Sequence, residues 1–502
     1  MAKSIMIQGT GSGVGKSLIA AALCRIFKDR GVKVAPFKSQ NMALNSFVTY
    51  EGGEIGRAQA GQAEASSVLP SIYMNPILLK ATGEAGSQVI LMGKVHSNMT
   101  ASQYYAFKNE AWKVVIEAWE TLSSQYDLII IEGAGSPAEI NLMDCEIVNM
   151  AVARHANSPV ILVGDIDRGG VFASLYGTIK LLEQDAKFIK AFIINKFRGD
   201  INILLPGNEI LHKKTGIPVI GVLPHLGHLG LNEEDGMALD SSLSNKYHDC
   251  EPLKIVVLRL KYISNFTDFD CFEYEPDVEL IYSLRHNDIL SADLVIIPGS
   301  KNTIKDLTYL RQIGIDETLK TVHKNGVQII GICGGYQMLG AYIKDPYGME
   351  SEQLEAKGLG LLDGITTLDK TKTTYQVKAD SIGLFPMCDK QFDNIKGYEI
   401  HLGRTDCKEG LFKITRLSAG AYCNTPQLDG QYKENVWGTY IHGIFDNDAL
   451  RWSLIDSVRK NRGLMNTTDR HIIYEDAKDQ TLQLWTEAVK THIDMDFIYR
   501  MV

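Results

Sequence analysis

Short apolar runs bounded by glycine and polar residues recur along the first half of the chain: SIMIQ at 4–8, VKVAPFKS at 32–39, DLIIIEG at 127–133, PVILVGD at 159–165, FIINK at 192–196 and IPVIGVLP at 217–224. Runs of this length without polar alternation are those of strands buried on both faces. Helical lengths separate them, the first from Ser17 to about Arg30 with a stop at Gly31. Strands and helices in alternation predict a parallel sheet covered by helices on both sides. After His225 the pattern fades into a stretch rich in Gly, Ser, Asn and acidic residues. A second series then begins with LKIVVLRL at 253–260 and continues through DLVIIPGS at 293–300, VQIIGICGG at 327–335 and VWGTYIHGIF at 436–445. The last stretch, from about 447, carries apolar residues at helical spacing. The expected organisation is therefore an α/β domain over 1–235, a linker at 236–252, a second α/β domain over 253–450 and a helical segment over 451–502.

The chain length of 502 residues exceeds what one hydrophobic core serves, in keeping with that division. A formal charge of −9 argues against a nucleic-acid-binding surface as the main function. The cysteines at 24, 145, 250, 271, 333, 388, 407 and 423 form no C-x-x-C pair, which disfavours zinc ribbons, iron–sulfur sites and disulfide frameworks. No apolar run approaches the roughly 18 residues of a membrane span. The first apolar run leads straight into a glycine-rich loop, so no removable leader is expected, and a cytoplasmic protein with reduced thiols is the simplest account.

That loop is GTGSGVGKS at 9–17. A glycine-rich turn ahead of a helix brings backbone N–H groups against phosphate oxygens, and the helix N-terminus adds partial positive charge. Gly9, Thr10, Gly13 and Gly15 would form the cradle, Lys16 would reach the terminal phosphates, and Ser17 would ligate Mg2+ beside a nucleotide. Thr10 stands where the usual pattern has its first glycine, so the loop resembles the longer variant of the dethiobiotin synthetases. Position 11 is Gly, and the lysine that marks partitioning ATPases there is absent. Glu132, closing an apolar strand, occupies the place of a second magnesium ligand. Asn195 and Lys196 resemble the base-reading pair of phosphate-loop enzymes, and Arg198 in place of a guanine-selecting Asp favours adenine, hence ATP.

Cys333, in GICGGYQMLG, falls on a tight strand-to-helix turn where glycines at 331, 334 and 335 permit a strained nucleophile and the helix start favours a thiolate. Its base must come from elsewhere in the chain. His401 in GYEIHLGRT and His442 in GTYIHGIFDN compete, and His442, late in the domain, is preferred. Class I glutamine amidotransferases commonly place Glu two residues after that histidine; Ile444 stands there, so a Cys–His dyad is expected, with Asp446 as a candidate orienting group. A phosphate loop and a thiol nucleophile in one chain fit ATP-driven amidation with ammonia drawn from glutamine.

KSQNMALNS at 38–46, GRAQAGQAEA at 56–65, MNPILLK at 74–80, EGAGSPAEINL at 132–142, DIDRGGVFAS at 165–174, INKFRGD at 194–200, NFTDF at 265–269 and PGSKNT at 298–303 complete the set. With these motifs the chain resembles, over nearly its whole length, the cobyric acid synthases, glutamine-dependent amidases of cobalamin biosynthesis. The resemblance implies that adenosyl-cobyrinic acid a,c-diamide is amidated at its b, d, e and g carboxylates, each step using one ATP and one glutamine. It also implies that backbone N–H groups near Gly299 and Gly334 hold the oxyanion of the glutaminase step. Gln40, Asn41, Asn45, Asp144 and Glu146 are candidates for contacting the corrinoid or the leaving phosphate, the alternative for each being plain loop structure. Two other functions compete: amidation of a different acid, as in the related a,c-diamide synthases, and a non-catalytic phosphate-loop switch. The second leaves Cys333, His442 and the whole C-terminal half without a purpose.

Overall fold

The computed structural model describes residues 2–82, 86–227, 252–351, 353–386, 388–406, 409–418, 421–422, 425–464 and 471–502. The chain divides into two units: Met1–Ala43, Glu54–Asp235 and Lys478–Val502 in the first, Leu44–Gly53 and Gly236–Ala477 in the second. The expected linker at 236–252 lies, but for Pro252, outside the described residues.

In the first unit a six-stranded sheet runs in the order Val219–Pro224, Ile189–Phe197, Val160–Asp165, Lys3–Gly9, Leu128–Glu132, Val34–Phe37. Every neighbouring pair is parallel. Its strands are the apolar runs of the sequence, and residues such as Ile5, Ile7, Ile130, Ile161 and Ile193 are fully buried because helices cover both faces. The helix Lys16–Asp29 follows the first strand directly. A smaller sheet joins Gln40–Met42, Ile77–Ala81, Gly86–Leu91 and Lys94–Thr100, strands too short and too mixed in polarity to stand out in the sequence.

The second unit holds another six-stranded sheet, ordered Val278–Ser283, Leu253–Leu258, Leu294–Ile297, Gln328–Ile332, Val436–Thr439, Gln431–Lys433. Its strands are parallel except the last, which pairs antiparallel at the edge. A separate sheet, built on the long antiparallel pair Ile365–Ser381 and Ile395–Thr405, had no counterpart in the sequence reading. The strand Ile365–Ser381 mixes buried with exposed and half-buried positions and carries several charged residues, so its apolar content is diluted.

Two features depart from the expected boundaries. The helical segment expected as one piece over 451–502 is divided: Asp448–Asn461 belongs to the second unit, while the chain from Lys478 returns to the first. There Trp485, Val489, Ile493 and Ile498 enter the core formed by Ile19, Leu23 and Phe27, and the Trp485 indole N–H donates to the Leu18 carbonyl at 2.7 Å. In addition, Leu44–Gly53, within the presumed first domain, is part of the second unit.

Glycines fix the closest approach in the second sheet. A Cβ on Gly335 would lie 1.9 Å from the Ile297 carbonyl oxygen, and one on Gly334 would lie 2.7 Å from the Ser300 nitrogen. The helix after Cys333 therefore packs on the neighbouring strand only without side chains. Gly335→Ala should destabilise the protein by about 1–3 kcal/mol or more through overpacking against backbone. Thermal unfolding would show this as a lowered transition, and an unchanged midpoint would refute the close approach.

Candidate functional site

Each unit places its chemistry at the carboxyl ends of adjacent parallel strands, where chain direction reverses and backbone groups are left to face a ligand. In the first unit these strands end in Gly9, Glu132 and, one residue beyond Phe37, Lys38. Gly13 and Gly15 have φ of 70° and 98°, which side-chain-bearing residues rarely adopt, so both glycines are required by the loop's path. The Lys16 ammonium donates to the Gly11 carbonyl at 2.8 Å and the Gly135 carbonyl at 3.3 Å, lying along the loop it opens.

Glu132 is the hub of this site. Its Oε1 accepts from Ser17 Oγ at 2.8 Å and from Lys38 Nζ at 2.9 Å. Its Oε2 accepts from Gln62 Nε2 at 2.6 Å and Gln59 Nε2 at 3.3 Å. Burial opposes the charge, but the Lys38 ammonium and the bonds from Gln62 and Ser17 outweigh it and hold the carboxyl below its ordinary range. Glu132 is thus a carboxylate, adjacent to a hydroxyl that opens a phosphate-loop helix. Two hard oxygens so placed suit Mg2+, which takes one or two protein oxygens and completes its shell with water and phosphate.

Three of these residues were missed as site residues. Lys38 follows directly on a buried strand, and Gln59 and Gln62 sit three apart on one face of an Ala-rich helix, Arg57–Ala65, where all three are buried. A buried lysine or glutamine on such an element is a sign of a polar partner.

Asn195 holds the loop. Its Nδ2 donates to the Val14 carbonyl at 2.8 Å and its Oδ1 accepts the Lys196 N–H at 2.8 Å. A Cβ on Gly15 would meet Asn195 Nδ2 at 2.2 Å. Each end of the amide holds one protein partner, so Asn195 supports the loop and keeps one donor and one acceptor position beyond these bonds. Lys196 likewise donates to the Gly13 carbonyl at 2.6 Å and pairs with Asp165 at 3.0 Å.

The other substrate candidates divide. Gln40 accepts from the Tyr104 hydroxyl at 2.5 Å, and Asn41 donates to Gln59 at 2.9 Å, next to the Glu132 hub. Asp144 is exposed and borders a cavity of about 420 Å³ shared with Lys108, Trp112 and His155. Glu146 lines the same cavity but uses its carboxylate on the N–H groups of Val148, Asn149 and Ala151, the entry to the helix Met150–His155. It caps a helix from the wall of that cavity. Asn45 belongs to the second unit.

In the second unit the strand Gln328–Ile332 ends at Cys333, whose φ of 51° and ψ of −107° mark a strained turn. The adjoining strand pairs Thr439 with Ile332, and Cys333 N–H donates to the Thr439 carbonyl at 2.8 Å. Three residues further on stands His442, close enough for its ring to interact with Cys333; the thiol itself faces the Ile400 carbonyl at 3.8 Å. The ring's Nδ1 lies 2.6 Å from Asp268 Oδ2, and Asp268 Oδ1 accepts the Gly443 N–H at 3.1 Å. Cysteine, histidine and aspartate therefore form a line, and the expected dyad is a triad. Asp446, the residue considered for the orienting role, is exposed, whereas Asp268 is buried beside the ring. Asp268 lies far back in the sequence, in the NFTDF turn after the first strand of the unit. An acidic residue in a Phe-rich turn at a strand end was the one available signal.

Burial alone would lower the His442 pKa, but the Asp268 carboxylate and the interaction with Cys333 raise it to about 10. The ring is therefore an imidazolium at neutral pH. Gly299 lies against this group, since a Cβ there would be 3.4 Å from His442 Cε1, and Gly334 follows Cys333 and abuts Ser300. Of the two oxyanion candidates, Gly334 adjoins the nucleophile in sequence and Gly299 adjoins the histidine.

His401 has a different task. Its Nδ1 bonds the Gly403 carbonyl at 2.6 Å, its Nε2 meets Glu399 at 3.2 Å, and its ring stacks on Tyr440 at 3.9 Å. Burial would raise the Glu399 carboxyl, but His401 and Arg416 together bring it down to about 2. Burial pushes the Cys24 thiol up to about 12, as for a packing residue.

A cysteine nucleophile on one α/β unit and a phosphate loop facing a buried carboxylate on the other define the class of nucleotide-using glutamine amidotransferases. Residues 254–450 match the CobB/CobQ-like glutamine amidotransferase domain, and residues 5–239 match the CobQ/CobB/MinD/ParA nucleotide binding domain. The chain is 50% identical over 503 residues to the cobyric acid synthase of Thermodesulfovibrio yellowstonii, spanning 100% of this chain and 99% of that protein. It is 44% identical to the cobyric acid synthase of Syntrophobacter fumaroxidans, over 100% of this chain and 99% of that one. With the cobyric acid synthase of Limosilactobacillus reuteri strain DSM 20016 the identity is 48%, over 98% and 97%. The chain belongs to the cobyric acid synthase family, and it is a glutamine-dependent amidating ligase of cobalamin biosynthesis. No described helix is long and apolar enough to cross a membrane.

Asp268→Asn should lower glutaminase kcat/KM by about 10²- to 10⁴-fold, the range for losing the group that orients a catalytic imidazole. Asp268 is also what lifts the His442 pKa. The charged form of His442 is present below that pKa and lost above it, so its removal should move the alkaline limb of the glutaminase profile down from near pH 10. A profile unmoved by the substitution would show that Asp268 does not hold the imidazolium.

Proposed function

We propose that the protein makes adenosyl-cobyric acid from adenosyl-cobyrinic acid a,c-diamide by amidating the b, d, e and g carboxylates through acyl phosphates, with ATP as the phosphoryl donor. The observation that carries this reading is the pairing of the Cys333–His442–Asp268 line with the Ser17–Glu132–Lys38 cluster in one chain.

In the glutaminase half, the Cys333 sulfur attacks the glutamine carbonyl carbon and N–H groups at Gly299 and Gly334 meet the developing oxyanion. His442 gives its proton to the departing amine, so ammonia leaves and a thioester remains. It then takes a proton from the water that releases glutamate. Asp268 keeps the imidazole in one tautomer throughout.

In the synthetase half, a substrate carboxylate oxygen attacks the ATP γ-phosphorus and ADP departs. Lys16 and the loop amides spread the charge of the transferring group, and Lys38 lies beside Glu132 as a second cation for the incoming carboxylate. Ser17 and Glu132 would hold Mg2+, which supplies charge neutralisation at the phosphates. Ammonia then attacks the acyl carbon, and phosphate leaves with the oxygen the carboxylate brought. The free thiols of the described cysteines suit a reducing cytoplasm, where we place the enzyme.

Cys333→Ser should abolish amide formation from glutamine and leave formation from high ammonium within about twofold of wild type, because the thiol serves only to release ammonia. Lys16→Ala should cut formation from both nitrogen sources by about 10²-fold or more, since neither route escapes carboxylate activation. Product analysis by mass spectrometry reads both. Glutamine use surviving in the cysteine variant, or ammonium use in the lysine variant, would overturn the respective assignment.

A further inference from the structure

The steps above use one flank of the phosphate loop and leave the other without a task. The strand Lys3–Gly9, which leads into the loop, lies between two parallel neighbours, Leu128–Glu132 and Val160–Asp165. The first neighbour ends in Glu132, the hub described above. The second is tied to the loop directly, since Thr10 N–H donates to the Val163 carbonyl at 2.9 Å. Its end runs through the turn 165–170 into the helix Val171–Leu182, all within the first unit.

That turn is held firmly. Asp165 Oδ1 accepts the Asp167 N–H at 2.9 Å, the Ile166 carbonyl accepts the Gly169 N–H at 3.0 Å, and Ile166 N–H donates to the Asn195 carbonyl at 3.1 Å. Gly169 and Gly170 have φ of 76° and 72°, so the chain reverses there in a conformation that side-chain-bearing residues avoid. Lys196 joins the turn to the phosphate loop, pairing with Asp165 at 3.0 Å and donating to the Gly13 carbonyl at 2.6 Å.

Charge within the turn is unevenly paired. Its two acids are both taken, Asp165 by Lys196 and Asp167 by Arg198 at 3.1 Å. Arg168 stands next to Asp167, is exposed, and makes no ion pair or hydrogen bond among the described residues. Its position is specific: a Cβ on Gly13 would lie 4.0 Å from Arg168 Nη2, and Gly13 is itself an exposed residue of the phosphate loop. A guanidinium without a carboxylate therefore borders the open side of the cradle. Lys16 lies along the loop, and Ser17 and Glu132 hold the opposite flank.

We propose that Arg168 is a further catalytic residue of the synthetase half, its guanidinium closing on the phosphoryl group as that group passes from ATP to the substrate carboxylate. In this step a carboxylate oxygen bonds to the γ-phosphorus, the bond to the bridging oxygen breaks, and ADP leaves with the electron pair. Charge is then spread over the three equatorial oxygens and the departing β-phosphate. Arg168 donates two parallel N–H···O bonds to these oxygens and transfers no proton, because a guanidinium stays charged at any working pH. Lys16 is a point charge inside the loop, so the planar fork of Arg168 supplies what the loop itself lacks. The proposal rests on the amidation reading above.

The test uses the full-length enzyme with adenosyl-cobyrinic acid a,c-diamide and with ammonium as the nitrogen source, so that Cys333 plays no part, and follows ADP and amide while ATP is varied. Arginines that face a transferring phosphoryl group are worth about 10³–10⁵ in rate in other phosphate-loop enzymes. Arg168→Ala should lose about 10²-fold or more in kcat, with the KM for ATP within about threefold of wild type. Arg168→Lys keeps the charge without the fork and should recover about tenfold of that loss. Guanidinium chloride, below the concentrations that unfold the protein, should restore part of the lost kcat in Arg168→Ala and do nothing for wild type, a response that loss of a merely structural contact does not give. Wild-type kinetics in Arg168→Ala, a raised KM with kcat kept, or a kcat loss that neither guanidinium nor Arg168→Lys reverses in part would each overturn the assignment. Failure of wild type to form amide under the same conditions would instead overturn the amidation reading.

Discussion

The parallel register of the two six-stranded sheets is the constraint on which both sites depend. Pairing Ile332 with Thr439 and Ile297 with Gly331 brings the turns carrying Cys333, His442 and Gly299 out at one edge of one sheet. Pairing Ile7 with Glu132 and Phe37 with Ile131 does the same for the phosphate loop, Glu132 and Lys38 in the other. The covering helices bury the strands on both faces, so the ends of the strands are where polar chemistry can be exposed without cost to the core. Glycine at 334 and 335 lets the helix after Cys333 come within contact of the neighbouring strand, and the cysteine takes up the resulting backbone strain.

Each site is organised around a buried carboxylate. Glu132 gathers Ser17, Lys38, Gln59 and Gln62; Asp268 gathers His442 and the Gly443 N–H. Removing one partner from such a group leaves a charge in a poorly solvated place, at a cost of about 3–5 kcal/mol. The arrangement therefore resists local rearrangement, and its charges are fixed before substrate arrives. That is the condition under which electrostatic stabilisation of a transition state is largest. Lys38, though not part of the glycine-rich loop, is held in this cluster by its pairing with Glu132.

Much of this was legible in the sequence because strong local signals carried it. Buried parallel strands announce themselves as apolar runs, and GVGKS and GICGG are punctuated by glycines that mark a tight turn between a strand and a helix. The residues that escaped notice act across long separations. Asp268 meets His442 across 174 residues of sequence, and its one local signal, a place in a Phe-rich turn at a strand end, does not name its partner. Lys38 and the two glutamines are polar residues on ordinary elements, revealed only when their burial is known. Asn195 shows a task that the dipeptide did not announce, since its amide also supports the loop backbone. The return of Lys478–Val502 to the first unit was hidden because an amphipathic helix states that it packs, not where.

The central claim is that one chain activates a corrinoid carboxylate by phosphorylation and supplies it with ammonia from Cys333. Labelling the substrate carboxylates with 18O and following the label during turnover with ATP and glutamine tests this directly. The account predicts one labelled oxygen in inorganic phosphate for every amide formed, with ADP as the nucleotide product. Label appearing in AMP, or amide formed with unlabelled phosphate, would contradict it.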